Sequence, residues 1–230
     1  MSGPVPGDEG RRAADHNLER ALLELPLFPL PSTVFFPHTL LPLHVFETRY
    51  RQLTEDVLAD HQHLAVVKID EDALNVPVPG ISRVAGVGRI VHYERLPDGR
   101  FHLLLQGIAR AELIEELPAA GRLYRRARAR CLSADTDVDA TVREVQALRS
   151  CYARLLEHAP DHKDALGDLP LKVDAPEVLA DVVCAAAIDD VGLRQAALEE
   201  RSLARRLRLA HDALATLLLK SFATEAAPMH

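Results

Sequence analysis

Two histidines separated by one residue, His61 and His63, form the pattern in this sequence that comes nearest to a metal motif. An H-x-H pair can bind zinc, but a zinc site needs a third or fourth ligand, and usually carboxylates that hydrogen-bond to the ligating histidines. Because 11 histidines are spread along the chain, chance accounts better for the pair. We therefore predict neither a metal nor a cofactor.

The three cysteines, Cys131, Cys151 and Cys184, are far apart and form no C-x-x-C pair. This spacing indicates neither a disulfide framework nor a zinc knuckle, and it favours a reducing compartment. The sequence also has no apolar run of about 18 residues and no basic segment leading into an apolar N-terminal core. These features predict a cytoplasmic protein with no membrane partner.

The short motifs that most often mark an enzyme are missing from the sequence. There is no G-x-x-x-x-G-K-[ST] loop to hold nucleotide phosphates, which excludes ATP hydrolysis by such a loop, and there is no G-x-S-x-G or H-E-x-x-H pattern. We predict that the chain is not an enzyme. A hydrolase whose catalytic residues meet only in space is an alternative hypothesis.

Arginines alternate with small or apolar residues near Cys131, so that Arg126, Arg128 and Arg130 share one face of a predicted strand. We call these three residues the basic stripe. One hypothesis makes it a site for phosphate or RNA. The other pairs its arginines across the sheet with Glu112, Glu115 and Glu116. The net charge of −7 and the low aromatic content of 4% favour the second hypothesis and argue against a dedicated nucleic-acid binder.

The elements around these side chains begin with an apolar segment, Leu25 to Tyr50, that five prolines interrupt. Because proline fixes φ and lacks a backbone donor, the segment predicts short strands joined by turns, as in a small, strongly bent β-barrel. The helix that follows is expected to insert Phe46 and Tyr50 into the barrel. The residues that the strands are expected to bury are Leu25, Leu27, Leu30, Val34 to Phe36, Leu40, Leu41 and Leu43.

Later segments supply the remaining strands. Residues 64–69 predict a buried strand, and residues 70–79 predict a loop. Residues 84–94 and 100–117 predict a hairpin that turns at Asp98-Gly99, with positive φ at both central positions. Gly107 predicts a bulge, because glycine inside a strand usually marks a bend.

Helical spacing replaces the strand pattern beyond Ser133. The predicted helices run from about residue 139 to 158, from a cap at Asp174, over 193–199 and over 202–222, with a loop at 161–173. The sequence thus predicts an α+β fold with one helix packed on the barrel and a C-terminal helical bundle. We assign residues 1–16 to a disordered arm, 17–133 to the β domain, 134–223 to the helical domain and 224–230 to a disordered tail.

Several motifs resemble the N-terminal, substrate-binding domain of Lon proteases. They are L-P-L-F-P-L at 25–30, V-F-F-P at 34–37, L-P-L-H-V-F-E-T-R-Y at 41–50, L-P-D-G at 96–99 and G-I-A-R at 107–110. The chain departs from the family at His38, where glycine usually follows F-P. The resemblance extends over roughly residues 25–220. It implies a PUA-like β domain and a helical domain, in a stand-alone protein without ATPase or peptidase domains.

What the resemblance implies about function is a non-catalytic module that binds polypeptides. Its partners are expected to be unfolded or disordered segments, or one defined protein, bound in a groove between the barrel and the helical domain. The module would then be an adaptor or a sensor. RNA binding through the basic stripe is the alternative, and no oligomeric state is predicted. The candidate peptide-binding residues are Phe36, Pro37, His38, Phe46 and Tyr50.

Overall fold

The computed structural model describes residues 8–70, 79–158, 167 and 169–225. The described residues form two compact units, one within the ranges Met1–Phe35 and Leu40–Leu132, the other within Phe36–Thr39 and Ser133–His230. The strands are β1 Leu25–Leu30, β2 Leu40–Val45, β3 His63–Lys68, β4 Val84–Arg95, β5 Phe101–Leu117 and β6 Arg126–Cys131. The helices are α1 Asp8–Leu23, α2 Thr48–Ala59, α3 Val138–His158, α4 Leu169–Lys172, α5 Pro176–Ala187, α6 Val191–Glu199 and α7 Leu203–Glu225.

The strands form one six-stranded sheet in the order β2-β5-β4-β3-β1-β6, and β5 also pairs with β6. β1 and β3 are parallel, whereas the other pairs are antiparallel. The long strand β5 pairs with β2 through its first half and with β6 through its second half. The predicted α+β class is confirmed, but the sheet is not a regular barrel because β2 lies outside the ring of the other five strands.

Alternation along the central strands divides the core of this unit into two clusters. On one side, Phe28, Leu64 and Val66 pack with residues of α2. On the other side, Leu27, Ala65 and Val67 pack with the end of α1. Since neighbouring strand residues point to opposite faces, strands β1 and β3 are buried on both sides and their sequences are continuously apolar.

The helix that was expected to insert two aromatic side chains inserts only one. Tyr50 stacks on Phe28 with ring centroids 4.1 Å apart, and its hydroxyl donates a hydrogen bond of 3.4 Å to the carbonyl of Pro29. Burial raises the pKa of Tyr50. Phe46 lies before the first turn of α2 and is 63% exposed, so its predicted insertion is wrong.

The proline-rich segment forms two short strands, β1 and β2. Val34 and Phe35 are buried, but residues 31–39 form no strand. In β2 only Val45 is fully buried. Leu41 and Leu43 are half-buried, and Leu40, which was predicted to be buried, is exposed. The alternating pattern of β2 shows that one face of this strand packs on the core while the other faces water.

The predicted hairpin and bulge are confirmed with one change. β4 and β5 join through residues 96–100, where Gly99 has φ +80° and Asp98 accepts a hydrogen bond from the Arg100 amide. Only Gly99 has a positive φ, so the turn is longer than the two-residue turn expected from Asp-Gly. The β4–β5 register shifts next to Gly107, where the bulge was predicted.

The second unit contains helices α3 to α7. Asp137 caps α3 by accepting a hydrogen bond from the Ala140 amide, as its position before the helix predicts. The predicted cap of α5 is wrong, because Ala175 occupies the cap position and makes no side-chain bond, although Pro176 does open the helix. The buried stripe of α7 consists of Leu203, Leu207, Ala210, Leu214 and Leu218.

The ends of the chain differ from the prediction at one point. α1 begins at Asp8, within the segment assigned to a disordered arm. Residues 1–7, most of the 70–79 loop, most of the 161–173 loop and residues 226–230 lie outside the described residues. No helix in the described ranges is long and apolar enough to cross a membrane.

Candidate polypeptide-binding face

The terminal strand β2 exposes one of its two faces to solvent. Leu40, Pro42 and His44 alternate with inward-facing residues and point to the solvent. Proline is tolerated here because a terminal strand leaves one side of its backbone without a ladder partner. Phe46 follows at the same alternation and is 63% exposed, and Leu40 is 62% exposed.

The neighbouring strands extend this face. In β5, Gln106, Leu104 and His102 lie directly opposite Leu40, Pro42 and His44, respectively. Directly opposed residues of an antiparallel pair share one face of the sheet. We call this surface the outer face. It consists of Leu40, Pro42, His44, Phe46, His102, Leu104 and Gln106.

Three aromatic rings, those of His44, Phe46 and His102, contact one another at one end of the outer face. The His44 and His102 rings meet edge to face with centroids 4.9 Å apart, and Phe46 meets His44 in the same way at 6.0 Å. Glu94 of β4 lies 3.4 Å from His102 Nδ1. The outer face therefore presents a phenylalanine, a leucine and a proline beside two imidazole rings. Such a surface suits apolar segments better than strongly charged ligands.

The structure separates the five predicted peptide-binding residues. Phe36, Pro37 and Tyr50 are buried, so their side chains contribute to the fold. His38 is exposed, with φ +63°, and its Nε2 lies 3.9 Å from the buried carboxylate of Asp181. Among the five, Phe46 alone is an exposed apolar side chain, and the groove predicted between the two domains stays a prediction.

Sequence reasoning missed Leu40 and Pro42 as surface residues. The segment L-L-P-L-H-V has leucines at both odd and even positions, so its alternation does not reveal which face is buried. Pro42 was the available signal, because proline inside a strand indicates a terminal strand whose outer edge faces solvent.

The basic stripe is neutralised by carboxylates in the structure. Arg128 bonds to Glu115 at 2.9 Å, and Arg130 Nε bonds to Glu112 at 2.8 Å. Arg126 is 8% exposed, pairs with Glu24 and donates a bond of 3.0 Å to the Pro118 carbonyl. The cross-strand ion pairs are thus confirmed for Arg128 and Arg130, whereas Arg126 pairs with Glu24, which precedes β1, and Glu116 pairs with Arg125.

The histidine pair His61 and His63 has a structural role at the start of β3. His63 is 2% exposed, and its amide donates a hydrogen bond of 3.0 Å to His61 Nδ1. Burial lowers the pKa of His63 to about 4, which keeps its imidazole neutral near pH 7. Among the residues that the structure describes, no group of three His, Cys, Asp or Glu side chains could hold a metal ion.

The relatives found by sequence comparison with known proteins include several Lon proteases. Lon protease 2 of Herpetosiphon aurantiacus is 29% identical over 208 residues, which cover 87% of this chain and 24% of that protein. Lon protease 2 of Myxococcus xanthus is 29% identical over 198 residues, covering 83% of this chain and 23% of that protein. The chain thus spans about a quarter of the length of these relatives.

Solved structures agree on the fold. The N-terminal domain of a Mycobacterium avium complex Lon protease superposes with a TM-score of 0.67 at 16% identity, covering 84% of this chain and 98% of that one. A Lon N-terminal domain protein from Xanthomonas campestris gives a TM-score of 0.57 at 22% identity, covering 80% of this chain and 95% of that one. The sequence model of the ATP-dependent protease La (LON) substrate-binding domain matches residues 24–216. The chain belongs to this LON substrate-binding domain family.

Proposed function

We propose that this chain is a non-catalytic recognition module that binds apolar stretches of unfolded polypeptides on its outer face. The observation that carries the proposal is the exposure of Leu40 and Phe46, 62% and 63%, on the same face as Pro42, with Leu40 at the start of β2 and Phe46 just beyond its end. The family match supports it, because this family is described as a substrate-binding domain.

The outer face can supply part of the free energy of such binding. Burying a leucine or a phenylalanine side chain fully contributes roughly 1.5–3 kcal/mol. Because Leu40 and Phe46 are 62% and 63% exposed, the two can supply roughly 2–4 kcal/mol of the ~8 kcal/mol that corresponds to micromolar affinity, and other contacts of the bound segment have to supply the rest. Because this contribution is mainly apolar, binding is expected to persist at physiological salt.

The direct test is fluorescence anisotropy of a labelled, reduced and alkylated polypeptide that cannot fold. We expect saturable binding of about micromolar affinity without nucleotide, changing little between low and physiological salt. Leu219→Asp is a matched control for substitutions on the outer face, because Leu219 is 69% exposed but lies on α7. Absence of binding at both salt concentrations would end the proposal.

The biological role that we propose is that of an adaptor or sensor in the cytoplasm. The relatives are named proteases, and we propose that this chain presents bound segments to such a protease or reports on their abundance. Reconstitution with a purified ATP-dependent protease distinguishes the two roles. An adaptor accelerates degradation of the labelled polypeptide in proportion to its occupancy, whereas a sensor leaves the degradation rate unchanged.

RNA binding receives less support from the contacts of the basic stripe. Every arginine of the stripe already bonds to a carboxylate, so a phosphate has to displace an existing partner. A gel shift with structured RNA tests this alternative. RNA affinity that falls steeply with salt and is lost in Arg128→Gln would reinstate it.

A further inference from the structure

The backbone of β2 offers a second set of binding groups beside the outer face. β2 ends the sheet, and among the described residues no strand pairs with its other edge. β5 is also the one described element against which β2 packs extensively. Strand edges of this kind present unpaired N–H and C=O groups, which are templates for another extended chain.

Pro42 identifies which residues face the free edge. Proline has no N–H, so within a continuous ladder its nitrogen belongs on the side away from the neighbouring strand. β2 pairs with β5 without interruption from Leu40 to Val45. Because main-chain groups alternate in direction along an antiparallel strand, Leu40, Pro42 and His44 direct theirs to the free edge.

The free edge therefore has a defined pattern of partial charges. It offers two donors, the amides of Leu40 and His44, and three acceptors, the carbonyls of Leu40, Pro42 and His44. An extended polypeptide presents the same alternation of donors and acceptors along one of its edges. The two patterns are complementary except at Pro42, where one donor is missing.

We infer that the polypeptide binds as an added strand along the free edge of β2, with alternate side chains resting on Leu40 and Phe46. This inference rests on the proposed function and specifies its substrate class, which is an extended segment recognised through its backbone, with specificity from every second side chain. A segment that stays helical does not fit, because its backbone groups are already paired.

A second copy of β2 fits this edge less well than a different polypeptide does. Two β2 edges bring two prolines into the new ladder, so the pair lacks two donors, whereas a ligand without proline lacks only one. Proline on terminal strands is a known means of preventing such self-pairing. The edge is thus better matched to a ligand than to self-association.

Backbone methylation of the ligand tests the inference. A short apolar peptide is made in three forms: unmodified, N-methylated at its even positions, and N-methylated at its odd positions. Both methylated peptides keep every side chain, and each loses the amide donors of one strand edge. We expect one methylated form to bind about tenfold or more weakly and the other to bind about as well as the unmodified peptide.

Equal affinity of the two methylated forms would overturn the inference. This result is distinct from failure of the proposed function, in which neither the unmodified peptide nor the unfolded polypeptide binds at all. A second variant, Pro42→Val, restores the missing edge donor and is expected to tighten binding by about two- to tenfold. Pro97→Val, at an exposed position of the hairpin loop, is its control, and equal affinity of Pro42→Val and Pro97→Val would also contradict the added strand.

Discussion

The outer face and the basic stripe lie on the same unit, and sequence patterns suggest a ligand for each. They differ in what surrounds them. The arginines of the basic stripe bond to Glu24, Glu115 and Glu112, whereas Leu40 and Phe46 on the outer face remain more than half exposed. A row of charges can be satisfied within the fold by the next strand. We propose that the exposed apolar side chains of the outer face are covered instead by a bound polypeptide.

The comparison also separates side chains that stabilise the fold from those that are available to a ligand. Phe36 and Tyr50 come from the same proline-rich segment as Phe46, yet both are buried. Burial of an aromatic residue contributes to stability, whereas an exposed patch of several apolar side chains is the informative exception. The predictions below test this division between outer face, basic stripe and core.

The largest expected effect is the loss of stability when buried His63 is protonated. Binding to the two surfaces is therefore best compared above pH 6.5, where this loss is absent. Folded His63 protonates with a pKa of about 4, against 6.5 for an unburied histidine. The unfolded chain therefore takes up the proton first as the pH falls. Stability is complete above pH 6.5 and decreases toward pH 4 by at most about 3 kcal/mol.

Urea unfolding at pH values above 6.5 and near 4 measures this effect, with His63→Leu as the comparison. The variant keeps the buried volume but has no titrating ring. Between these pH values it should therefore lose less stability than the unsubstituted protein, by the contribution of His63. An identical pH dependence in both proteins would show that His63 does not control acid sensitivity.

The next effect is on binding at the outer face. Leu40→Asp combined with Phe46→Asp removes two apolar contacts and adds two charges, so we expect the affinity for unfolded polypeptide to fall about tenfold or more. Because both side chains are exposed, the melting temperature should change little. Anisotropy and thermal unfolding check both statements, and retained affinity would place the binding surface elsewhere.

A smaller effect tests whether His38 belongs to the fold or to the ligand site. Its φ of +63° favours glycine, so His38→Gly should raise the free energy of unfolding by about 0.5–1 kcal/mol and leave polypeptide affinity unchanged. Gln62→Gly is the matched variant, because Gln62 has the same φ. A clear loss of affinity in His38→Gly alone would return this turn to the binding site.

The smallest effect is expected at the basic stripe. Arg128→Gln breaks an exposed ion pair, and Arg130→Gln removes an exposed arginine from Glu112, which keeps Arg83 as a partner, so we expect each substitution to cost about 0–1 kcal/mol. Chemical unfolding should therefore change little and polypeptide affinity should not change. An affinity decrease as large as that of the outer-face variant would remove the distinction between the two surfaces.

Much of the fold could be predicted from the sequence, because local chemistry dictates it. The hairpin at Asp98-Gly99 and the bulge at Gly107 each depend on a glycine at one position of the sequence. The start of α1 could not be predicted, since its charged N-terminal sequence has the composition of a disordered arm.

The candidate site was less predictable than the fold. Which face of β2 is buried depends on its pairing with β5, a contact between residues about sixty positions apart, and leucines on both faces conceal the answer. Two partners of the basic stripe could be predicted, because Glu112 and Glu115 lie on the strand that precedes it in the sequence. Glu24, the partner of Arg126, could not, because it lies about a hundred residues away in the sequence. Exposure of Phe46 depends on where α2 begins, which no local motif fixes.

The most direct measurement is site-specific photocrosslinking to the labelled unfolded polypeptide. A photoreactive benzoylphenylalanine replaces Phe46 in one variant and Arg128 in another, so that one probe lies on the outer face and the other on the basic stripe. We predict crosslinks from position 46 that excess unlabelled polypeptide suppresses, and only background from position 128. Equal crosslinking at both positions, or crosslinks only at 128, would contradict the assignment of polypeptide binding to the outer face.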